Sequence, residues 1–383
     1  MDIFFIFYFV VTILLSLAIN YLLLKFSFNL GSRNNVAFKQ VRWTSHVKPS
    51  IGGISFFIIF LLSWGIYGFL TQEKGVVPDK SILGIVAATS LGFLAGLYDD
   101  AFNTNPLLKF ILQLTCGLIL TFFDVKIYIS NIEFINIFFT LVWVVGLMNS
   151  INMLDNMDGV TGSVSAVILI GLIAVLAIQG HHSFDFYMLS MIGVLGAIIG
   201  FLRFNWSPSR IFIGDTGSQF LGVFLAATSI VFFWKYNDGN QGVFQLKPFV
   251  LPALFFVIPI IDTTTVTLRR LLRGQSPFVG GKDHITHHFA YLGLKERSIV
   301  FILLATTLVS FPAALVLIKS PATWNFYFSF GVLAYVVALF FVFQFFYKKG
   351  EIIHQQRLHD QRPIPKITKE SLAAFTEKLQ AKN

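Results

Sequence analysis

"GLYDDAFNTNPLLKF", residues 96 to 110, decides how this chain folds. An apolar run that starts near residue 81 stops at Asp99 and Asp100, and a second run starts after Pro106 with Lys109 just inside it. An apolar run, a polar turn and another apolar run make the pattern of two membrane helices joined at one surface. A span needs about 20 mainly apolar residues, and in lipid its backbone groups must pair within the segment. Working outward from this junction, eleven such stretches appear, near 3–24, 51–71, 81–98, 107–123, 132–148, 163–180, 186–202, 219–236, 248–268, 298–318 and 324–347. Only 12% of the 383 residues are charged and 55% are hydrophobic, with mean hydropathy +0.74; a soluble domain carries about 25% charged residues. The expectation is an all-α, polytopic membrane helical bundle of about eleven transmembrane helices in the lipid bilayer. A transmembrane body is expected over 1–347 and a cytoplasmic tail over 348–383, with no soluble domain. The first stretch, Ile3 to Leu24, is too long for a signal-peptide core and lacks a small-residue cleavage site, so it reads as a retained helix.

The formal charge of +9 would suggest nucleic acid in a soluble chain, but here it has to be read loop by loop, and no nucleic-acid partner is expected. Alternate loops carry very different numbers of Lys and Arg. One set (25–50, 99–109, 149–162, 203–218, 269–297 and the tail) holds 22, and the other holds six: Lys74, Lys80, Lys126, Lys235, Lys247 and Lys319. The basic side faces the cytoplasm, which puts the N-terminus outside and the C-terminus inside. The tail mixes charges, contains Pro363 and Pro365, and ends in an amphipathic stretch, Lys369 to Leu379. It is expected to be partly disordered or to lie on the anionic membrane surface. The one cysteine, Cys116, excludes an intramolecular disulfide.

Four polar clusters fall on the basic side. Asp99 and Asp100 cannot both face a dry site unless a cation compensates. A hard divalent ion, held by one or two carboxylates plus substrate phosphates, would do so. Lys109 and Gln113 share a helix face that can point to the same space. In "NSINMLDNMDGVTG" (149–162), Asn149, Asn152, Asp155 and Asp158 recur every three residues, which places amides and carboxylates on one face. "IFIGDTGSQFLG" (211–222) puts Asp215 at a helix start, where N–H groups attract anions. The last loop carries Arg269, Arg270 and Arg273, then Lys282, Asp283, His284, His287 and His288 around Gly280 and Gly281, a composition suited to handling phosphate. Zinc is a poor fit to these histidines because no cysteine joins them. His181 and His182 fall in an outer loop.

In this order the clusters resemble the polyprenyl-phosphate N-acetylhexosamine-1-phosphate transferases, a family that includes the phospho-N-acetylmuramoyl-pentapeptide transferases. The likeness runs from about Arg42 to Leu294. It rests on the Asp-Asp pair with Pro106, Lys109 and Gln113; on Asn149 to Gly159; on Asn205 and Pro208 followed by Gly214 to Ser218; and on the histidine loop. "HVKPSIGGI" (46–54) also resembles the family's opening of the second span. Two departures stand out: the histidine loop reads His284-Ile-Thr-His287-His288 rather than His-x-His-His, and Asn156 replaces a common glycine.

The resemblance implies phosphoryl transfer dependent on Mg2+, or on Mn2+ in its place, at the cytoplasmic face of the plasma (inner) membrane. UDP-N-acetylhexosamine, with N-acetylglucosamine favoured, donates sugar-1-phosphate to undecaprenyl phosphate, giving lipid-diphosphate-sugar and UMP for a cell-envelope glycan. Asp99 and Asp100 are then expected to be catalytic, with Asp215 and Asp99 as metal ligands. Lys109, Asn152, Asp155, Asp158, Asn205, Arg273, His284, His287 and His288 are expected to bind substrate. The family, not these residues, also implies a homodimer. Two rivals are a transporter, for which Asp262 inside the ninth span would speak, and a phosphatidyl-type alcohol transferase, whose motif starts like Asp155 to Gly159 but continues differently.

Overall fold

The junction that opened the sequence is a tight, capped turn in the computed structural model, which describes residues 3–29, 48–72, 79–179, 186–234, 246–276, 281–320 and 324–360. The third helix runs Lys80–Phe102 and stops at Asn103, whose left-handed backbone (φ 52°) ends it; the next starts at Pro106 behind Asn105, whose side chain accepts from Leu107 N at 2.9 Å. Asparagine tolerates the left-handed region and caps well, and proline suits a first helical turn. "NTNP" is therefore a chemical stop and start.

The described residues form thirteen helices: α1 Ile3–Asn29, α2 Gly53–Gln72, α3 Lys80–Phe102, α4 Pro106–Phe122, α5 Glu133–Leu154, α6 Val160–Ile178, α7 Phe186–Asn205, α8 Gly214–Phe232, α9 Lys247–Phe255, α10 Val257–Leu272, α11 Ile285–Tyr291, α12 Glu296–Lys319 and α13 Phe326–Asp360. Nine of them are long and apolar enough to cross a membrane; α4, with 17 residues, is shorter. The chain is a multi-pass membrane protein.

Two expectations change. The predicted ninth span is two helices, α9 and α10, bent by 85°. Pro259 lies just past the break; its ring removes the N–H that would bond Phe255 and clashes with that carbonyl. The last helix does not end at residue 347 but runs on to Asp360. At 1.5 Å per residue its 35 residues reach about 52 Å, well beyond a hydrocarbon core of about 30 Å. The amphipathic stretch 369–379 lies outside the described residues.

The core is built on α8, which is buried along nearly its whole length and packs on α2, α3, α5 and α6. Close helix approach without a hydrophobic drive between apolar surfaces requires small residues. A Cβ on Gly53 would sit 2.2 Å from Gly217 Cα, and one on Gly96 would sit 2.2 Å from Asp215 O, so α2 and α3 lie directly against the first turn of α8. Gly52 N and Gly53 N also donate to Phe212 O and Ile213 O, at 3.0 and 3.1 Å. The junctions α3/α4, α5/α6 and α7/α8 thereby meet at one end of the bundle, the polar end.

Candidate active site

Four helices deliver one side chain each to a common point at the polar end. Lys109 Nζ of α4 lies 2.8 Å from Asp99 Oδ2 of α3, 3.2 Å from Asp215 Oδ2 of α8 and 3.5 Å from Asn152 Oδ1 of α5. Asn152 Nδ2 donates to Asp215 Oδ1 and, at 2.8 Å, to Ser218 Oγ. Thr104 completes the shell of Asp99, donating from N at 2.8 Å and from Oγ1 at 2.5 Å. Two carboxylates against one ammonium leave a formal negative charge here, in a largely buried site that attracts a cation.

Asp100 is adjacent in sequence but faces elsewhere. Its Oδ1 accepts from Asp215 N at 3.0 Å, and its Oδ2 accepts from Thr216 N and Oγ1 at 2.8 and 2.6 Å. A carboxylate on the first N–H groups of α8 satisfies donors that the helix cannot, and it complements the helix dipole. The adjacent pair thus divides: Asp99 meets the lysine, while Asp100 holds the turn that carries Asp215. One turn further into the bundle lies an amide layer. Gln113 exchanges hydrogen bonds with Asn149 at 2.8 and 3.2 Å and donates to Gln219 Oε1 at 3.1 Å.

The rest of the Asn/Asp segment braces backbone. Asp158 accepts from Ser209 N and Oγ, each at 2.8 Å, with Lys48 Nζ 3.5 Å away. Asn205 accepts from Gly159 N at 3.0 Å and donates to Ile211 O at 2.8 Å. Together they tie the α5/α6 turn to the α7/α8 loop. Asp155 lies half-buried in the turn that ends α5.

The histidines occupy α11 and its start, and α11 is tied to the α5/α6 turn: Thr286 Oγ1 donates to Asn156 Oδ1 at 2.6 Å. His284 Nδ1 meets Asp262 Oδ2 at 2.8 Å, and Ile285 N donates to Asp262 Oδ1 at 2.9 Å, so the carboxylate buried in α10 orients an imidazole at this same end. The His288 ring stacks on Tyr347 of α13 with centroids 3.5 Å apart, and the Arg269 guanidinium lies 3.8 Å from the same Tyr347 centroid. Two groups that close to one ring must take opposite faces, giving an Arg–Tyr–His stack. Burial pushes His287 down to about 3, and burial with the Arg269 charge pushes His288 down to about 4. Both rings are therefore neutral near pH 7 and bring hydrogen-bonding capacity rather than charge. Burial would raise the Asp283 carboxyl, but the Arg270 hydrogen bonds and charge outweigh it and hold it below the ordinary range. That pair is bidentate, at 2.6 and 2.7 Å. Arg273 is 45% exposed and bonds Glu351 at 2.9 Å.

The structure therefore brings Asp99, Lys109, Asn152 and Asp215 into one cluster and places Asp100, Asp158 and Asn205 on backbone that supports it. Arg273 and His288 belong to a second cluster with α13. Sequence reasoning gave no role to Thr104, Tyr347 or Glu351, and it named Arg269 and Ser218 only as members of their motifs. Thr104 stands inside the quoted stretch and Ser218 beside Asp215, so both were within reach; nothing local in the last helix connects Tyr347 to His288 or Glu351 to Arg269 and Arg273, some sixty to eighty residues away.

Comparison with known proteins adds an independent line. Residues 82–233 match glycosyl transferase family 4. The chain is 27% identical over 325 residues to a probable undecaprenyl-phosphate N-acetylglucosaminyl 1-phosphate transferase of Bacillus subtilis, covering 82% of this chain and 85% of that one. It is 27% identical over 300 residues to a decaprenyl-phosphate N-acetylglucosaminephosphotransferase of Mycolicibacterium smegmatis, covering 72% and 74%. It is 33% identical over 231 residues to a phospho-N-acetylmuramoyl-pentapeptide-transferase of Streptococcus agalactiae, covering 54% and 67%.

Proposed function

Since the chain belongs to glycosyl transferase family 4, among the polyprenyl-phosphate N-acetylhexosamine-1-phosphate transferases, we propose that it moves N-acetylglucosamine-1-phosphate from UDP-N-acetylglucosamine to undecaprenyl phosphate at the cytoplasmic membrane face. An acceptor phosphate oxygen attacks the sugar-bearing phosphorus, the bond from that phosphorus to the bridging oxygen breaks, and UMP leaves. The observation that carries this reading is the convergence of Asp99, Lys109, Asn152 and Asp215 from four helices at one end of the bundle. Phosphoryl transfer depends on positioning and charge neutralisation more than on covalent chemistry, and this cluster supplies both. The N-acetylglucosamine donor is favoured because relatives with that name align over 72–82% of the chain, against 54–69% for the pentapeptide relatives.

Asp99 and Asp215 fit a magnesium ion: they are hard oxygen donors that already converge on one cation, the Lys109 ammonium. Magnesium commonly takes one or two carboxylates and fills its other positions with water and substrate phosphate. When bound, it would supply charge neutralisation at the transferring phosphoryl group. Lys109, on a flexible stem, pairs with a phosphate oxygen when substrate arrives; Asp99 takes the proton of the acceptor phosphate; Asp100 keeps Asp215 in place. Asn152, Asp155, Asp158 and Asn205 shape the nucleotide side. The test is direct: protein in bilayer discs, given UDP-N-acetylglucosamine, undecaprenyl phosphate and magnesium, releases UMP. Absence of UMP with every UDP-hexosamine tried, in correctly folded protein, would overturn the reading.

A further inference from the structure

The amide layer beneath the carboxylate centre repeats the plan of the centre one helical turn deeper. Gln113 stands four residues after Lys109 on α4, Asn149 three residues before Asn152 on α5, and Gln219 four residues after Asp215 on α8. Residues three or four apart share a helix face, so each member of the layer lies under one member of the centre. Gln113 is the hub. It exchanges hydrogen bonds with Asn149 at 2.8 and 3.2 Å, and its Nε2 also donates to Gln219 Oε1 at 3.1 Å. Asn149 is further held to its own helix, donating to Val145 O at 2.9 Å. Gln113 and Gln219 are each 1% exposed, and Gln219 Nε2 has no hydrogen-bond partner among the described residues.

Among the described residues, two side chains carry the hydrogen bonds of α4 to α5 and α8: Lys109, to Asn152 and Asp215, and Gln113, to Asn149 and Gln219. They differ in permanence. Lys109 is held by charge, and in the transferase reading it turns to a substrate phosphate, which breaks its bonds to the carboxylates. The amides carry no charge to redirect. When Lys109 turns away, Gln113 still ties α4 to both neighbours. α5 and α8 need no such tie to each other, because a Cβ on Gly222 would sit 2.5 Å from Met148 Cα and the two helices meet backbone to backbone. Apolar contact alone fixes the rotation of α4 weakly, since in lipid no hydrophobic force drives one helix face against another.

We infer that Gln113, Asn149 and Gln219 are positioning residues: their amide hydrogen bonds fix the rotation of α4 against α5 and α8, and so keep the stem of Lys109 between Asn152 and Asp215 while its ammonium moves to the transferring phosphate. The inference rests on the transferase reading above. Gln219→Met is the sharpest variant. It keeps the length, deletes the acceptor of the Gln113 bond together with a donor that has no partner, and leaves Gln113 paired with Asn149, so the thermal midpoint should not fall. In full-length protein in bilayer discs, kcat for UMP release should drop about tenfold with the KM for UDP-N-acetylglucosamine within about twofold, as expected when a reacting group is slightly misplaced but the donor still binds. A kcat within about twofold of wild type, a loss that follows a lowered midpoint, or a KM that rises as kcat falls each overturns the inference. A second readout needs no turnover. Cys116, the one cysteine of the chain, is buried on α4 with its Sγ 3.5 Å from Ala88 O, so its rate of labelling by N-ethylmaleimide reports rotation of that helix. Lys109→Ala, which imitates the departed ammonium, should leave that rate within about twofold, and adding Gln219→Met should raise it about fivefold, the worth of roughly one hydrogen bond. Equal rates in the single and double variants overturn the inference. A wild-type protein that releases no UMP fails the transferase reading instead, and the labelling rates still decide the role of the layer.

Discussion

The carboxylate centre and the histidine cluster are built on opposite electrostatic plans. At the centre, unlike charges face each other directly: an ammonium lies 2.8 and 3.2 Å from two carboxylates. Around α11 each arginine is paired with a carboxylate, while the imidazoles of His287 and His288 are buried and neutral. The contrast shows why two motifs rich in the same residue types do different things. Charge that can be redistributed stands at the centre, and a rigid surface that can hold and orient a ligand stands beside it.

The sharpest way to break this contrast is to remove charge from the centre. Asp215→Asn keeps the shape but not the charge and is expected to lower kcat about 10²–10³-fold, the usual size of one lost charge-stabilising contact, with a much smaller change in donor KM; steady-state UMP release measures both. Asp100→Ala tests the division of labour within the aspartate pair. It strips two backbone N–H groups and a hydroxyl of their acceptor and should cost about 1–3 kcal/mol, read as a lowered unfolding midpoint. Gly96→Ala should act on the same turn, costing about 1–3 kcal/mol by overpacking, because the new methyl meets Asp215 O.

Acid probes the other cluster. His287 and His288 have native pKa values near 3 and 4, below the ordinary histidine value of about 6.5. As pH falls below about 6.5 the unfolded chain takes up protons that the native chain refuses, so stability declines toward pH 4 and below. The lowered carboxyl of Asp283 works in the same direction, since its contribution is lost as pH falls through its native pKa. A midpoint series from about pH 7 to 4.5 should fall steadily, and His288→Asn should flatten it. The smallest effect is expected at the periphery: Arg297 donates to Ser207 O at 2.7 and 3.0 Å from an exposed position, and Arg297→Ala should cost no more than about 0.5–1 kcal/mol.

Much of this was legible along the chain. Hydropathy located the spans, and "NTNP" marked both ends of the α3/α4 turn because asparagine and proline act on their own backbone. The four polar motifs announced a site on one side through their density and spacing. The broken ninth span was less visible, since Pro259 interrupts the hydrogen-bond ladder without interrupting the hydrophobicity of the run. The different fates of Asp99 and Asp100 were invisible, because which carboxylate meets Lys109 depends on how α3 is rotated against α8.

What the amino-acid sequence determined alone is the material of the protein: apolar helices of membrane length, their caps, and the acids, amides and imidazoles gathered at their ends. Those are local properties, set by each residue's own solvation and backbone preferences. Only the tertiary structure decided that Lys109 stands between Asp99 and Asp215, that Asp100 caps a helix more than a hundred residues away, and that Tyr347 of the last helix stacks on His288. Such pairings join residues far apart in the chain and depend on helix rotation and close approach at Gly53, Gly96 and Gly217, which packing selects and no stretch of sequence contains.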